Sequence, residues 1–178
     1  MKDDLIDYGM IQLARSFYEA FGYKSVTVPW LISEETMNIT RPVGSRLFET
    51  FAGCCVASGE QSFLEVRKKL KPGKYQCVTP CFRDEQVHDE LHLQYFIKLE
   101  LIHVLAEGEE PDVKEMVNMC LRFFRYGPCA AAVKTAEGFD ITINDIEVGS
   151  YGFREHDGFR WVFGTGIAEP RFTQATLK

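Results

Sequence analysis

Residues 79–100, TPCFRDEQVHDELHLQYFIKLE, concentrate the side chains that could do chemistry. Arg83 and Glu85 stand two apart at the end of a short apolar run, and Phe96, Lys98 and Glu100 alternate along a second. Side chains alternate across a strand, so each set shares a face. Two antiparallel strands joined by the polar, histidine-bearing loop between them would offer two cations, two carboxylates and an aromatic ring to one side. Such a set suits a nucleotide together with a charged small molecule. A guanidinium fork donates bidentately to phosphate, and a ring offers a flat face for stacking.

The rest of the chain must hold that surface in place. Ile6, Met10, Leu13, Phe17 and Phe21 recur at helical spacing and predict an amphipathic helix over residues 4–21, closed by Gly22. Alternation from Tyr23 predicts a strand that stops at Pro29. A polar connection follows over residues 30–46, then short apolar segments over residues 47–57. A second helix begins at SGEQ, where Ser58 and Gln61 match a capping box, and Pro72-Gly73 stops it. The two central strands cover about residues 77–85 and 92–105. A third helix starts near Pro111, buries Val113, Met116, Val117, Cys120 and Phe124, and ends at Gly127-Pro128. Strands over residues 129–135 and 139–150, a hairpin turning at Asp157-Gly158, and the first turns of a helix at residues 169–178 complete the chain. Mixed helices and hairpins predict an α+β fold, an antiparallel β-sheet flanked by helices.

Composition narrows the function classes. The 178 residues, 46% of them hydrophobic, suffice for one domain with a sizeable core. A formal net charge of −6 supplies no basic stripe for gripping nucleic acid by charge alone. No apolar run approaches the roughly 20 residues a membrane span requires, and the acidic start MKDDLIDYGM is unlike a signal peptide. The six cysteines form no CxxC pair, so reduced, buried thiols in a cytoplasmic protein are expected.

Three segments together resemble the signature motifs of the class II aminoacyl-tRNA synthetase catalytic core. They are the helix, strand and Pro29 of the first 29 residues; FRDE with HLQYFIKLE; and GTGIAEPRF, residues 164–172. The resemblance covers nearly the whole chain and implies one such core over residues 1–178, with no anticodon-binding domain. It also implies roles. Arg83 would bind the α-phosphate of ATP, Glu85 would meet the adenine amino group, Phe96 would stack under adenine, and Arg171 would hold the γ-phosphate; Arg83 and Arg171 would be catalytic. His88 or His92 would touch the outer phosphates, and Glu147 would hold Mg2+. Glu60 in the SGEQ loop, Glu100 and Gly149 would surround the amino acid, with Gly149 leaving room for it. Ala168 departs from the pattern, standing where the third motif commonly has glycine, and Tyr95 stands where many relatives carry an acid before the Phe.

The residues alone also fit plainer roles. Arg83 and Glu85 would make a sheet-surface ion pair, Phe96 a core ring, Glu147 a solvated carboxylate and His88 and His92 loop residues. The function implied by the resemblance is ATP- and Mg2+-dependent activation of an amino acid or related carboxylate to an acyl-adenylate, by a homodimer, with a tRNA or a carrier as possible acceptor. The alternatives are a non-catalytic nucleotide- or amino-acid-binding accessory protein, or one half of a split synthetase.

Overall fold

The computed structural model describes residues 6–84, 93–125 and 129–177. In chain order the elements are α1 (Tyr8–Ala20), β1 (Lys24–Ser25), β2 (Leu31–Ile32), α2 (Glu34–Met37), β3 (Glu49–Thr50), β4 (Gly53–Cys55) and α3 (Gly59–Glu65). Next come β5 (Gly73–Phe82), β6 (Tyr95–Val104), α4 (Val113–Phe124), β7 (Ala131–Lys134), β8 (Gly138–Ile143), β9 (Ile146–His156), β10 (Phe159–Glu169) and α5 (Arg171–Leu177). Seven strands form one sheet in the order β1-β5-β6-β10-β9-β8-β7. Every neighbouring pair is antiparallel except β1 with β5, which is parallel. β2, β4 and β3 form a small second sheet.

The main sheet is covered differently on its two sides. Ile97, Leu99 and Leu101 of β6 face a core built with α1 and α4, which includes Tyr18, Met116, Cys120 and Phe123. Ile102 and Val104, on the opposite side, pack with Phe63, Leu64 and Trp161 beneath α3. α3 covers only part of that side. Phe96, Lys98 and Glu100 line open cavities instead.

A bulge in β10 decides what reaches those cavities. Thr165 pairs with Glu100 but Ile167 pairs with Leu99, so the extra residue Gly166 shifts the alternation by one. Before the bulge Trp161 and Phe163 lie on the α3 side, and after it Ile167 joins the α1–α4 core while Ala168 lines a cavity. Two buried tyrosines fasten this point. Tyr18 of α1 donates to the Gly166 carbonyl at 2.8 Å, and Tyr151 of β9 donates to the Thr165 carbonyl at 2.7 Å. A Cβ on Gly166 would stand 2.3 Å from Leu99 Cδ2, and one on Gly164 would stand 2.3 Å from Tyr151 Cδ1. The glycines of GTGIAEPRF therefore serve close approach within a strand.

Several boundaries differ from the sequence expectation. Asp7 caps α1 by accepting from the Met10 amide at 2.9 Å. Met10, Phe17 and Phe21 of the expected stripe pack against the core at the edge of a fully buried face formed by Ile11, Ala14 and Tyr18, while Leu13 is exposed. Asp112, rather than Pro111, opens the third long helix by capping it. The stretch expected as a single strand over residues 139–150 is a hairpin. Asn144 and Asp145 turn it at φ 49° and 63°, left-handed values that short Asx residues tolerate. Asp157-Gly158 turns the next hairpin as expected, at φ 49° and 74°. The expected stop at Gly127-Pro128 lies outside the described residues, and α4 ends at Phe124.

Tyr18→Phe and Tyr151→Phe should each cost about 1–2 kcal/mol in chemical denaturation, since each leaves a buried carbonyl unpaired. Gly166→Ala should cost about 1–3 kcal/mol, because the neighbouring backbone and Leu99 must yield.

Candidate functional site

The polar groups on the open side of the sheet are paired before any ligand arrives. Glu100 is 1% exposed. Its Oε2 accepts from Ser58 Oγ at 2.9 Å and from Lys98 Nζ at 2.8 Å. Ser58 is also the N-cap of α3, accepting from the Glu60 amide at 3.1 Å, so one hydroxyl ties the helix start to β6. Gln61 accepts from the Ala57 amide at 2.8 Å, one residue earlier than a capping box requires.

Glu60 is buried, and both of its oxygens are engaged. The Trp161 indole donates to Oε1 at 2.7 Å and Arg154 donates to Oε2 at 2.5 Å. Arg154 and Trp161 are directly opposite each other on β9 and β10, so the hairpin presents both donors to one carboxylate. Burial pushes the Glu60 carboxyl above its ordinary value, while Arg154 and the indole pull it down. Arg154 also lies over the Phe163 ring, 4.1 Å from its centroid.

Arg83 follows β5 directly. Its Nε donates to the Ala57 carbonyl at 3.2 Å, and its guanidinium stands 5.0 Å from the centroid of Phe96. Two cavities meet here and share Arg83, Lys98 and Ser150. The smaller, about 80 Å³, is also bounded by Phe96, Glu147, Gly149, Ala168 and Arg171. The larger, about 410 Å³, is bounded by Glu60, Glu100, Arg154 and the α2–β3 connection. Thus Arg83, Phe96, Glu147, Gly149 and Arg171 come together at one cavity, with Glu60 and Glu100 at its neighbour. Glu85, His88 and His92 lie outside the described residues. A Cβ on Gly149 would stand 2.6 Å from the Tyr151 hydroxyl, so this glycine makes room for the clamp on β10.

Metal chemistry has one candidate here. Glu147 is exposed and reaches the small cavity. Among the described residues no group of three His, Cys, Asp or Glu could hold a metal. One carboxylate fits Mg2+ only in the mode where phosphates and waters supply the remaining ligands. Cys77 and Cys81 are buried, free thiols; burial raises both, Cys81 to about 11, which suits packing rather than metal ligation.

Arg154, Trp161 and Ser150 drew no notice in the sequence. The hairpin signal at Asp157-Gly158 carried the clue to the first two, because its register places Arg154 opposite Trp161.

The fold, a mixed sheet flanked by helices, is similar to that of class II aminoacyl-tRNA synthetase catalytic domains. Among solved structures, pyrrolysyl-tRNA synthetase from Desulfitobacterium hafniense matches with a TM-score of 0.70 at 16% identity, over 93% of this chain and 67% of that one. Seryl-tRNA synthetase from Pyrococcus horikoshii, complexed with ATP, matches with a TM-score of 0.78 at 14% identity, over 95% of this chain and 49% of that one. Cytoplasmic serine-tRNA ligase from Naegleria fowleri, in complex with AMP, matches at 0.71 and 15% identity, over 94% and 52%. At these identities the likeness is one of fold, and the chain spans about half the length of the two seryl proteins. No protein-family model matches the sequence, and neither does any curated protein.

Glu169, the last residue of β10, is fully buried. One oxygen accepts from Thr173 Oγ1 at 3.0 Å and the other has no partner among the described residues. Burial pushes its carboxyl up to about 7. The folded chain therefore keeps this proton through a range in which the unfolded chain releases it, and stability falls as pH rises from about 4.5 to 7. Glu169→Gln should raise stability at pH 8 by on the order of 1–2 kcal/mol, with the gain vanishing near pH 4.5. Urea unfolding at the two pH values checks this.

Proposed function

We propose that the chain is an adenylate-forming core that activates an amino acid or similar carboxylate with ATP and Mg2+. The observation that carries this reading is the convergence of Arg83 and Phe96, from one strand-loop-strand, with the distant Arg171 on one cavity that shares a wall with another holding Glu100. In the proposed reaction a carboxylate oxygen attacks the α-phosphorus. The new P–O bond forms as the bond to the β-phosphate oxygen breaks, and pyrophosphate leaves with the electron pair. Arg83 would carry the charge developing at the α-phosphate, in a site whose donors are already positioned. Phe96 would stack on adenine and Arg171 would hold the leaving phosphates. Glu147 would hold Mg2+, which supplies charge neutralisation to those phosphates. Glu100 would accept from the substrate ammonium.

No helix among the described residues is long and apolar enough to cross a membrane. All six cysteines are free, which supports a reducing, cytoplasmic location. Trp30 is exposed and lines a cavity with Ser25 of the short edge strand β1, and we assign this face to a homodimer contact. Light scattering should give twice the chain mass.

Ligand binding without turnover is the second reading. Glu60 favours it, because both of its oxygens are committed within the protein and fewer groups remain for an ammonium. ATP–pyrophosphate exchange across all amino acids decides between the two. Exchange is expected with at least one of them, falling about 10²–10³-fold in Arg83→Ala. Phe96→Ala should raise KM for ATP about tenfold, the loss of one stacking contact. Binding by calorimetry without exchange would establish the second reading instead.

A further inference from the structure

Among the described residues, five cationic and three anionic side chains line the larger cavity, an excess of two positive charges in a protein of net charge −6. Its carboxylates are already matched. Lys98 stands 2.8 Å from Glu100, Arg154 contacts Glu60 at 2.5 Å, and Arg46 lies 3.6 Å from Asp84. Arg83 and Arg41 remain, neither with a carboxylate partner among the described residues. Arg83 also borders the smaller cavity, where the reading above places the α-phosphate. Arg41 does not border it. Arg41 follows the short helix α2; among the described residues its guanidinium donates only to the Ser45 carbonyl, at 3.3 Å, and its backbone amide donates to the Met37 carbonyl at 3.2 Å. Phe48, Phe82 and Phe163 also wall the cavity and keep it partly apolar, where an unmatched charge is felt strongly.

A neutral amino acid enters as a zwitterion and adds no net charge. With one phosphate charge on Arg83 the cavity would still carry an excess of one. We infer that the substrate is an amino acid with an acidic side chain, and that Arg41 is the specificity-determining residue that meets that acid. The charges then balance: the side-chain acid answers Arg41, the α-phosphate answers Arg83, and the ammonium and reacting carboxylate join the neutral Lys98–Glu100 pair. Complementarity of this kind discriminates between ligands of equal shape. The inference rests on the adenylate-forming reading.

Aspartate and glutamate, compared with asparagine and glutamine, separate charge from size. In ATP–pyrophosphate exchange one acid should exceed its amide in kcat/KM by about tenfold or more. Arg41→Gln should bring that ratio toward one by lowering exchange with the acid, and Arg41→Lys should keep part of the preference. Circular dichroism of each variant confirms that it is folded. A neutral amino acid outperforming both acids would overturn the substrate class, and an unchanged ratio in Arg41→Gln would overturn the role of Arg41. Calorimetric titration of the same four amino acids, with a non-hydrolysable ATP analogue present, asks the same question without turnover. Exchange failing while an acid still binds in preference to its amide would count against the catalytic reading alone. Equal or no binding of acid and amide would sink this inference.

Discussion

Two hydroxyls donated to two adjacent carbonyls hold the point on which the open face of the sheet depends. Tyr18 and Tyr151 bond the carbonyls of Gly166 and Thr165, at the bulge where β10 changes phase. Without that phase change Ala168 would turn toward the helices, and the chain leading to Pro170 and Arg171 would leave β10 on the wrong side. The clamp draws on α1 and β9, which lie far apart in sequence, so the two ends of the chain set the cavity jointly. The Cys120 thiol of α4 lies against both hydroxyls, and burial pushes it up to about 12. It packs as a neutral group at the centre of the clamp.

Once the phase is set, the open side of the sheet is organised by pairing. Ser58, Lys98 and Glu100 form one network, while Glu60, Arg154 and Trp161 form another. Each joins the start of α3 to the sheet. Leaving any of these buried groups without its partner would be costly, so each network fixes the others' geometry before a ligand arrives. That is the condition under which positioned charge can act on a reacting phosphate without reorganising.

The strand-loop-strand that first drew attention is legible in the sequence because its signal is local: period-two alternation ending in Arg83 and resuming through Phe96, Lys98 and Glu100. The I′ turn at Asp157-Gly158 is legible for the same reason. The Asn144-Asp145 turn was missed because neither residue is glycine, although both adopt positive φ. The stripe Met10, Phe17 and Phe21 is legible on α1, but the buried Tyr18 hydroxyl finds its partner in Gly166, 148 positions away, which no local pattern announces. The bulge itself has no local signal. Gly164 and Gly166 fit either a turn or a close strand approach in the sequence, and the packing of Leu99, Tyr18 and Tyr151 against them decides for close approach. In the same way Glu60 looks like a free ligand in sequence, and only the β9–β10 register reveals the arginine and indole that occupy it.

The central claim is that this cavity pair joins a carboxylate to the α-phosphate of ATP. Mass spectrometry of the purified chain, incubated with ATP, Mg2+ and a mixture of amino acids, tests it directly. The account predicts an acyl-AMP species that appears with stoichiometric pyrophosphate and is absent from the Arg83→Ala variant. Recovery of unchanged ATP, or release of ADP and phosphate with no acyl-AMP, would contradict it.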